Sequence, residues 1–366
     1  MPHFAGSSMA RLTIVAICLL AIRQGPTTAT ISTTGRWLLT ADGSPAPHDG
    51  LTRGLQTSGL AWYGEQLWSV GDQRSAFPGC LFVIDPQTAR LTGPPIPLFA
   101  ERDDIRSLLA DWGRIDLEGI DSLSRDEPRF VVLVEDEDTA ALVVRVNAPR
   151  TRATVEAIWQ FRFPNDTPPE PFRGDSNYRL EGIAIDRNAR DGFVAFERDR
   201  SNRPLLFRFE LARAPATGIG PVQLEPVRLD CWEQIGGKQK TLLNVNGLEF
   251  TRTAAGARRL FVLCRDRELV FIVDLDSRQL VAQVEIDFRS PDGDRIEWAS
   301  PEGIAIDRDG NRVFIVSDPD STDGNWRLRS TPRAAGRFSE FVPLLFEFKL
   351  PAETDTNPKR KRGSEW

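Results

Sequence analysis

From residue 58 onward, short apolar runs alternate with polar turns in a repeating order. The runs are four to ten residues long and rich in Val, Ile, Leu and Phe. Gly, Pro, Asp or Asn bound them, which predicts strands. Five of them open on one phrase: Ser58-Gly-Leu-Ala, Glu118-Gly-Ile-Asp, Glu181-Gly-Ile-Ala, Asn246-Gly-Leu-Glu and Glu302-Gly-Ile-Ala. The glycines, at 59, 119, 182, 247 and 303, are spaced by 60, 63, 65 and 56 residues. After each phrase comes a turn and a run ending in a charge, at 67–72, 130–135, 193–197, 260–265 and 313–318. A second run follows at 81–84, 141–146, 205–211, 269–275 and 344–350. Further strands are expected at 154–163, 222–229 and 279–288, and the best helix candidate is 103–111.

Three or four strands repeated every ~60 residues predict an all-β chain built as a β-propeller, because a single blade cannot bury both faces and must stack on neighbours around an axis. Five blades are detectable, and the loops at 164–178, 286–298 and 319–340 leave room for a sixth. A strand at 37–40 is placed to complete the last blade and close the ring. The propeller is expected over 36–350, with a disordered basic tail at 351–366 that carries Lys359-Arg360-Lys361-Arg362.

The N-terminus reads differently. Residues 12–22 form an apolar run after Arg11, followed by small residues to Thr30. That run is too short to span a bilayer, which needs about 20 residues. It reads as a signal peptide, residues 1–29, with cleavage near Ala29 and a secreted or periplasmic product. The whole chain has a net charge of −6, and losing the leader removes two arginines and no acid. Such an acidic chain lacks the basic face that nucleic acid requires. The only histidines are His3 and His48, which excludes Ser-His-Asp triads, Cys-His pairs and multi-His zinc sites. With only two Tyr as well, a cofactor-dependent oxidoreductase is disfavoured. Without Cys18, three cysteines remain (Cys80, Cys231, Cys264), as one disulfide plus a thiol or as three small core residues.

In a propeller the first strand of each blade lines the axis and the second lies beside it. The start of the first and the end of the second then share one mouth. The residues there are Ser58, Glu118, Glu181, Asn246 and Glu302, with Asp72, Glu135, Glu197, Arg265 and Asp318. Seven carboxylates so gathered raise one another's pKa unless a cation intervenes. A hard ion such as Ca2+ would serve, with Glu118, Glu181, Glu302 and Asn246 as candidate ligands. Arginines following the second strands, Arg198 and Arg265 among them, offer the other remedy. The plainer alternative is structural: a Glu before Gly that caps backbone amides, and strand-end acids that make Asx-turns.

These phrases, from Ser58-Gly-Leu-Ala through Asp116-Leu-Glu-Gly-Ile and Leu180-Glu-Gly-Ile-Ala to Asn246-Gly-Leu-Glu-Phe, resemble the phytase-like domain ("esterase-like activity of phytase") over roughly residues 50–350. They are more distantly similar to calcium-dependent propellers of the gluconolactonase and paraoxonase type. The resemblance implies a metal held by Glu118, Glu181 and Glu302, with Asn246 and Asp318 as further candidates, and an ester or phosphoester substrate. On that reading the protein is a hydrolase of ester bonds. Glu197 or Asp318 would be the general base, and Arg198 or Arg265 would clamp the oxyanion of a small anionic or ester ligand at the channel mouth. The alternative is a non-catalytic ligand- or protein-binding propeller, and in either case a monomer is expected. Blade four, with Arg265 for an acid, and blade one, with Ser58 for Glu, depart from the pattern.

Overall fold

The run that follows each phrase has no polar face, so it must find apolar partners on both sides. A computed structural model shows how. It describes residues 26–46, 54–113, 115–135, 139–166, 168–170, 180–229, 244–296, 299–317 and 342–350. The first strands of five blades are Thr57–Tyr63, Leu117–Ser122, Leu180–Asp186, Gly247–Arg252 and Pro301–Ile306. Each is followed by an antiparallel second strand: Gln66–Gly71, Arg129–Val134, Asp191–Phe196, Arg258–Cys264 and Arg312–Ser317. The third strands are Cys80–Asp85, Ala140–Val146, Leu205–Glu210, Leu269–Asp274 and Leu344–Lys349. The outermost are Ile96–Phe99, Ala153–Arg162, Glu225–Val227, Gln279–Arg289 and Arg36–Trp37. Each first strand lies beside those of both neighbours, and the fifth lies beside the first, so among the described residues the ring closes. The fold is a β-propeller.

Five apolar layers, one between each pair of blades, make up the core. The second strand of blade 2 feeds two of them. Phe130 and Val132 face the layer shared with blade 1, while Val131 and Leu133 face the layer shared with blade 3. Blade 4 repeats this, with Leu260 and Val262 on one side and Phe261 and Leu263 on the other. A period of two with both phases apolar gives the unbroken hydrophobic runs seen in the sequence.

The expected helix is present as Asp103–Trp112. It buries Ile105 and rests Leu108, Leu109 and Trp112 on the layer between blades 1 and 2. The chain enters through a strand not expected from the sequence. Thr27–Thr34 pairs in parallel with Gln279–Arg289 as a fifth strand of blade 4. The chain then passes through Gly35 to Arg36–Trp37, which pairs with Leu344–Lys349 and completes blade 5. A side chain at Gly35 would start 2.7 Å from a ring carbon of Phe346 and 2.8 Å from Leu344, so a larger residue would have to displace both. The strand overlaps the expected cleavage point at Ala29. Residues 1–25 and the tail 351–366 lie outside the described residues. No described helix is long and apolar enough to cross a membrane. Cys80 and Cys264 are free thiols, and Cys231 lies outside the described residues.

Candidate functional site

The repeated phrase marks a bulge. The register of first strand against second jumps between Thr57 and Leu60, Leu117 and Ile120, Leu180 and Gly182, and Pro301 and Gly303. In blade 4 the Asn246 amide donates to the carbonyl of Leu263, which also faces Gly247. A bulge takes a residue out of the ladder and re-aims its side chain. The residues freed in this way are Ser58, Glu118, Glu181, Asn246 and Glu302.

The glycine after each has a separate task. A Cβ on Gly119 would lie 2.7 Å from the Glu181 carbonyl oxygen, and one on Gly182 would lie 2.9 Å from the Leu248 nitrogen. One on Gly247 would lie 2.9 Å from the Glu302 carbonyl oxygen, and one on Gly303 would lie 2.7 Å from the backbone of Gly59 and Leu60. Each glycine therefore abuts the next blade's backbone, and the cycle returns to its start. The first strands approach so closely that the cavity they leave, beside Glu181, Asn246 and Glu302, is about 10 Å3, room for roughly one water.

Glu181, Asn246 and Glu302 line one small axial cavity, and the charge of Glu181 also reaches Glu118. The mouth nevertheless divides in two. Around blades 3 to 5 it is neutralised by arginine. Arg265 is paired with Glu302 and lies 3.3 Å from Glu197. Arg198 bridges Glu197 and Asp266, at 3.3 Å each. The fully buried Glu197 also accepts from Asn244 Nδ2 at 3.1 Å, and Asn244 Oδ1 accepts from the Asp266 amide at 2.8 Å. Burial opposes the charge on Arg265, but Glu302, Glu197 and Glu181 hold its proton well above the usual arginine range. Burial pushes Glu302 up to about 7 against the pull of Arg265. Glu302 Oε2, Glu197 Oε2 and both amide atoms of Asn246 are buried without a hydrogen-bond partner among the described residues.

The half formed by blades 1 and 2 is different. Asp116, Glu118 and Glu135 bring carboxylate oxygens within 4.8 Å of one another. Asp116 lies just before its first strand and is held by Gln73, whose backbone amide and Nε2 donate at 3.1 and 2.7 Å. The Glu135 amide donates to the Asp116 carbonyl, which fixes the second-strand end beside it. Burial raises Asp116, with Gln73 and Arg74 pulling the other way. Burial also lifts Glu118 well above the usual carboxylate range, and Glu181, Asp116 and Glu135 add to the lift. Among the described residues, neither Asp116 nor Glu118 forms an ion pair with an arginine at 4.0 Å or less. Three half-buried hard-oxygen donors suit Ca2+ or Mg2+.

Of the expected metal ligands, Glu118 lies in this triad, while Glu181, Asn246 and Glu302 line the small axial cavity, with Arg265 on Glu302. Of the expected catalytic residues, Glu197, Arg198 and Arg265 form one buried network, and Asp318 lies outside the described residues. Asp72 makes an Asx-turn by accepting from the Arg74 amide, as the plainer alternative held. Sequence reasoning passed over Asp116, although it stands two residues before Glu118 in the same phrase. It also passed over Asp121 and Glu249, which occupy the phrase position that is alanine in the other three blades (Ala61, Ala184, Ala305). Asp121 accepts from the Ile185 amide at 2.7 Å and from Arg187 at 3.1 Å, and Glu249 accepts from the Phe250 amide at 2.9 Å. Both are buried, and Glu249 lines the cavity at the opposite mouth.

A closed ring of blades whose axial mouth is lined with carboxylates defines an acid-mouthed propeller. The chain belongs to the SdiA-regulated family, whose model matches residues 107–321, most of blades 2 to 5. Among solved structures, it is similar to the calcium-binding protein regucalcin of Agrobacterium tumefaciens (12% identity, 87% of this chain and 94% of that one, TM-score 0.43). It is similar also to the glutaminyl cyclase of Myxococcus xanthus (12% identity, 87% and 98%, TM-score 0.42) and to a luciferin-regenerating enzyme (10% identity, 83% and 94%, TM-score 0.39). No curated protein matches the chain.

Proposed function

We propose that the protein is an exported propeller that binds a hard divalent cation, Ca2+ foremost, through Asp116, Glu118 and Glu135. The observation that carries this reading is the convergence of three carboxylates within 4.8 Å. Carboxylates this close raise one another's pKa, and a divalent cation bound among them would relieve that repulsion. Gln73 fixes Asp116 from behind, so the donors are partly preorganised. Export rests on the leader at 12–22. A bound cation would supply positive charge to the mouth and, toward an ester, Lewis acidity.

Calorimetric titration with CaCl2 tests the proposal. Saturable binding is expected, with a calcium-dependent rise in melting temperature. Asp116→Asn with Glu118→Gln should weaken binding by ~10-fold or more, since affinity follows the number of charged ligands. A wild-type protein with neither binding heat nor a melting shift overturns it.

A second reading, hydrolysis of an ester or phosphoester in line with the phytase-like resemblance, is favoured by Glu302. One of its oxygens rests on Arg265 and the other has no partner. A carboxylate with a free oxygen at a channel mouth can accept a proton from an attacking water. Glu197, fully buried and holding three donors, is worse placed for that role. Arg198 and Arg265 could clamp an oxyanion only by giving up their carboxylates. A screen of aryl esters and aryl phosphates with wild type and Glu302→Gln checks this. Turnover lost in the variant supports it, and turnover unchanged in the variant, or none in wild type, removes it.

A further inference from the structure

The second mouth of the axial channel holds the larger cavity, about 420 Å3, a volume suited to a small ligand. It is ringed by the turns that join first to second strands in all five blades. Four blades each contribute an arginine: Arg125 from the blade 2 turn, Arg187 from the blade 3 turn, Arg252 from the end of the blade 4 first strand and Arg308 from the blade 5 turn. Blade 1 contributes an aromatic wall, Trp62 and Tyr63, from the end of its first strand. Trp62 is set by stacking on Phe314 at 5.5 Å, so its half-exposed face is a fixed surface.

The lining also holds five acids, Glu65, Asp126, Asp186, Glu249 and Asp307, of which Asp186 and Asp307 are paired with arginine. Asp121, buried next to the lining residue Ser122, accepts from the amides of Ile185 and Ser122 as well as from Arg187. Asp186 is held by Arg252 at 2.7 Å and Arg258 at 3.0 Å, and Asp307 by Arg312 at 2.9 Å. Arg125 and Arg308, by contrast, are exposed and make no ion pair or hydrogen bond with any described residue. Arg187 and Arg252 are anchored on one edge and keep side-chain exposures of 24% and 29%. The guanidinium fork is the group best matched to carboxylate and phosphate oxygens, and an aromatic face takes a flat apolar body.

We infer that this cavity is a binding site for a small organic anion. Its carboxylate or phosphate would lie between Arg125 and Arg308, and its aromatic or aliphatic body against Trp62 and Tyr63. The site is separate from the acid mouth and independent of the cation proposed there. Cation and anion would occupy opposite ends of one axis.

The test uses 1-naphthyl phosphate as probe, followed by calorimetry on the full chain, with neutral 1-naphthol as comparison. Wild type should bind the phosphate saturably and more weakly as NaCl is raised, because exposed charge pairs are screened. Arg125→Ala with Arg308→Ala should weaken binding ~10-fold or more, since charge-assisted hydrogen bonds are lost. Both residues are exposed, so the melting temperature should not change. Asp116→Asn with Glu118→Gln should leave phosphate binding intact. The proposal is overturned by absence of saturable binding to wild type, by equal affinity for 1-naphthol, or by undiminished binding to the double arginine variant. Loss of binding in the Asp116/Glu118 variant would place the anion at the other mouth and also overturn it.

Discussion

Arg265 stands where the other four blades carry an acid, and the substitution decides how the mouth is divided. Its guanidinium meets Glu302 and Glu197 in the interior, so removing it leaves carboxylates buried without their counter-charge. Breaking such a pair from one side costs about 3–5 kcal/mol. Urea denaturation of Arg265→Met should show a loss of that order; a change within the error of wild type would mean that the pairing contributes nothing net. Glu302 supplies a sign that can be checked. Its folded pKa is raised from 4.5 to about 7, so the folded chain keeps a proton that the unfolded chain releases. Stability should therefore fall as pH rises from about 4.5 to about 7 and level off above. The contribution is on the order of 3 kcal/mol. Glu302→Gln should flatten that slope in denaturation curves taken across the window; an unaltered slope would assign it to other groups.

At the scale of the element, the five phrases do two jobs with two adjacent residues. The bulge turns the first residue to the axis, and the glycine lets the next blade's backbone close in. Gly182→Ala would put a methyl 2.9 Å from the Leu248 nitrogen and 3.1 Å from the Gly247 carbonyl carbon, where neither can swing aside. Overpacking of this kind costs about 1–3 kcal/mol. Gly93, with no atom within 4 Å of its added Cβ, is the control, and its alanine variant should lie within about 0.5 kcal/mol of wild type or slightly above. Equal stabilities of the two variants would contradict the close-approach account. Much of this was legible beforehand. Runs apolar in both phases announced strands packed between neighbours, and spacing of the phrases announced the repeat. The strand Thr27–Thr34 was not legible, because its alternating threonines lie in a region that reads as the end of a leader. The division of the acids was not legible either. It depends on which carboxylate a guanidinium reaches across 37 or 68 residues of chain, and spacing along the sequence is silent on that. Asp121 and Glu249 did carry a signal, as charges where three sister blades have alanine.

For the whole molecule, the consequence is an axis with two unlike ends. One mouth gathers acids, some paired with Arg265 and Arg198 and others grouped as Asp116, Glu118 and Glu135. The other gathers arginines around an aromatic wall. A chain with net charge −6 gains little from long-range attraction of anions, so an anion must be met by local guanidinium groups. Cation binding, in contrast, is aided by the overall field. Calcium and protons compete for the same oxygens, so the melting shift produced by calcium should be larger at pH 8 than at pH 5. Scanning fluorimetry at the two pH values checks this, and a shift independent of pH would point to a site that lacks these raised carboxylates.

The most direct test of the central claim is an anomalous-difference map from crystals grown with CaCl2. The account predicts a peak among the carboxylates of Asp116, Glu118 and Glu135, with Arg265 still seated on Glu302. A peak at Glu181, Asn246 and Glu302 with Arg265 displaced, or no peak beside an intact triad, would contradict it.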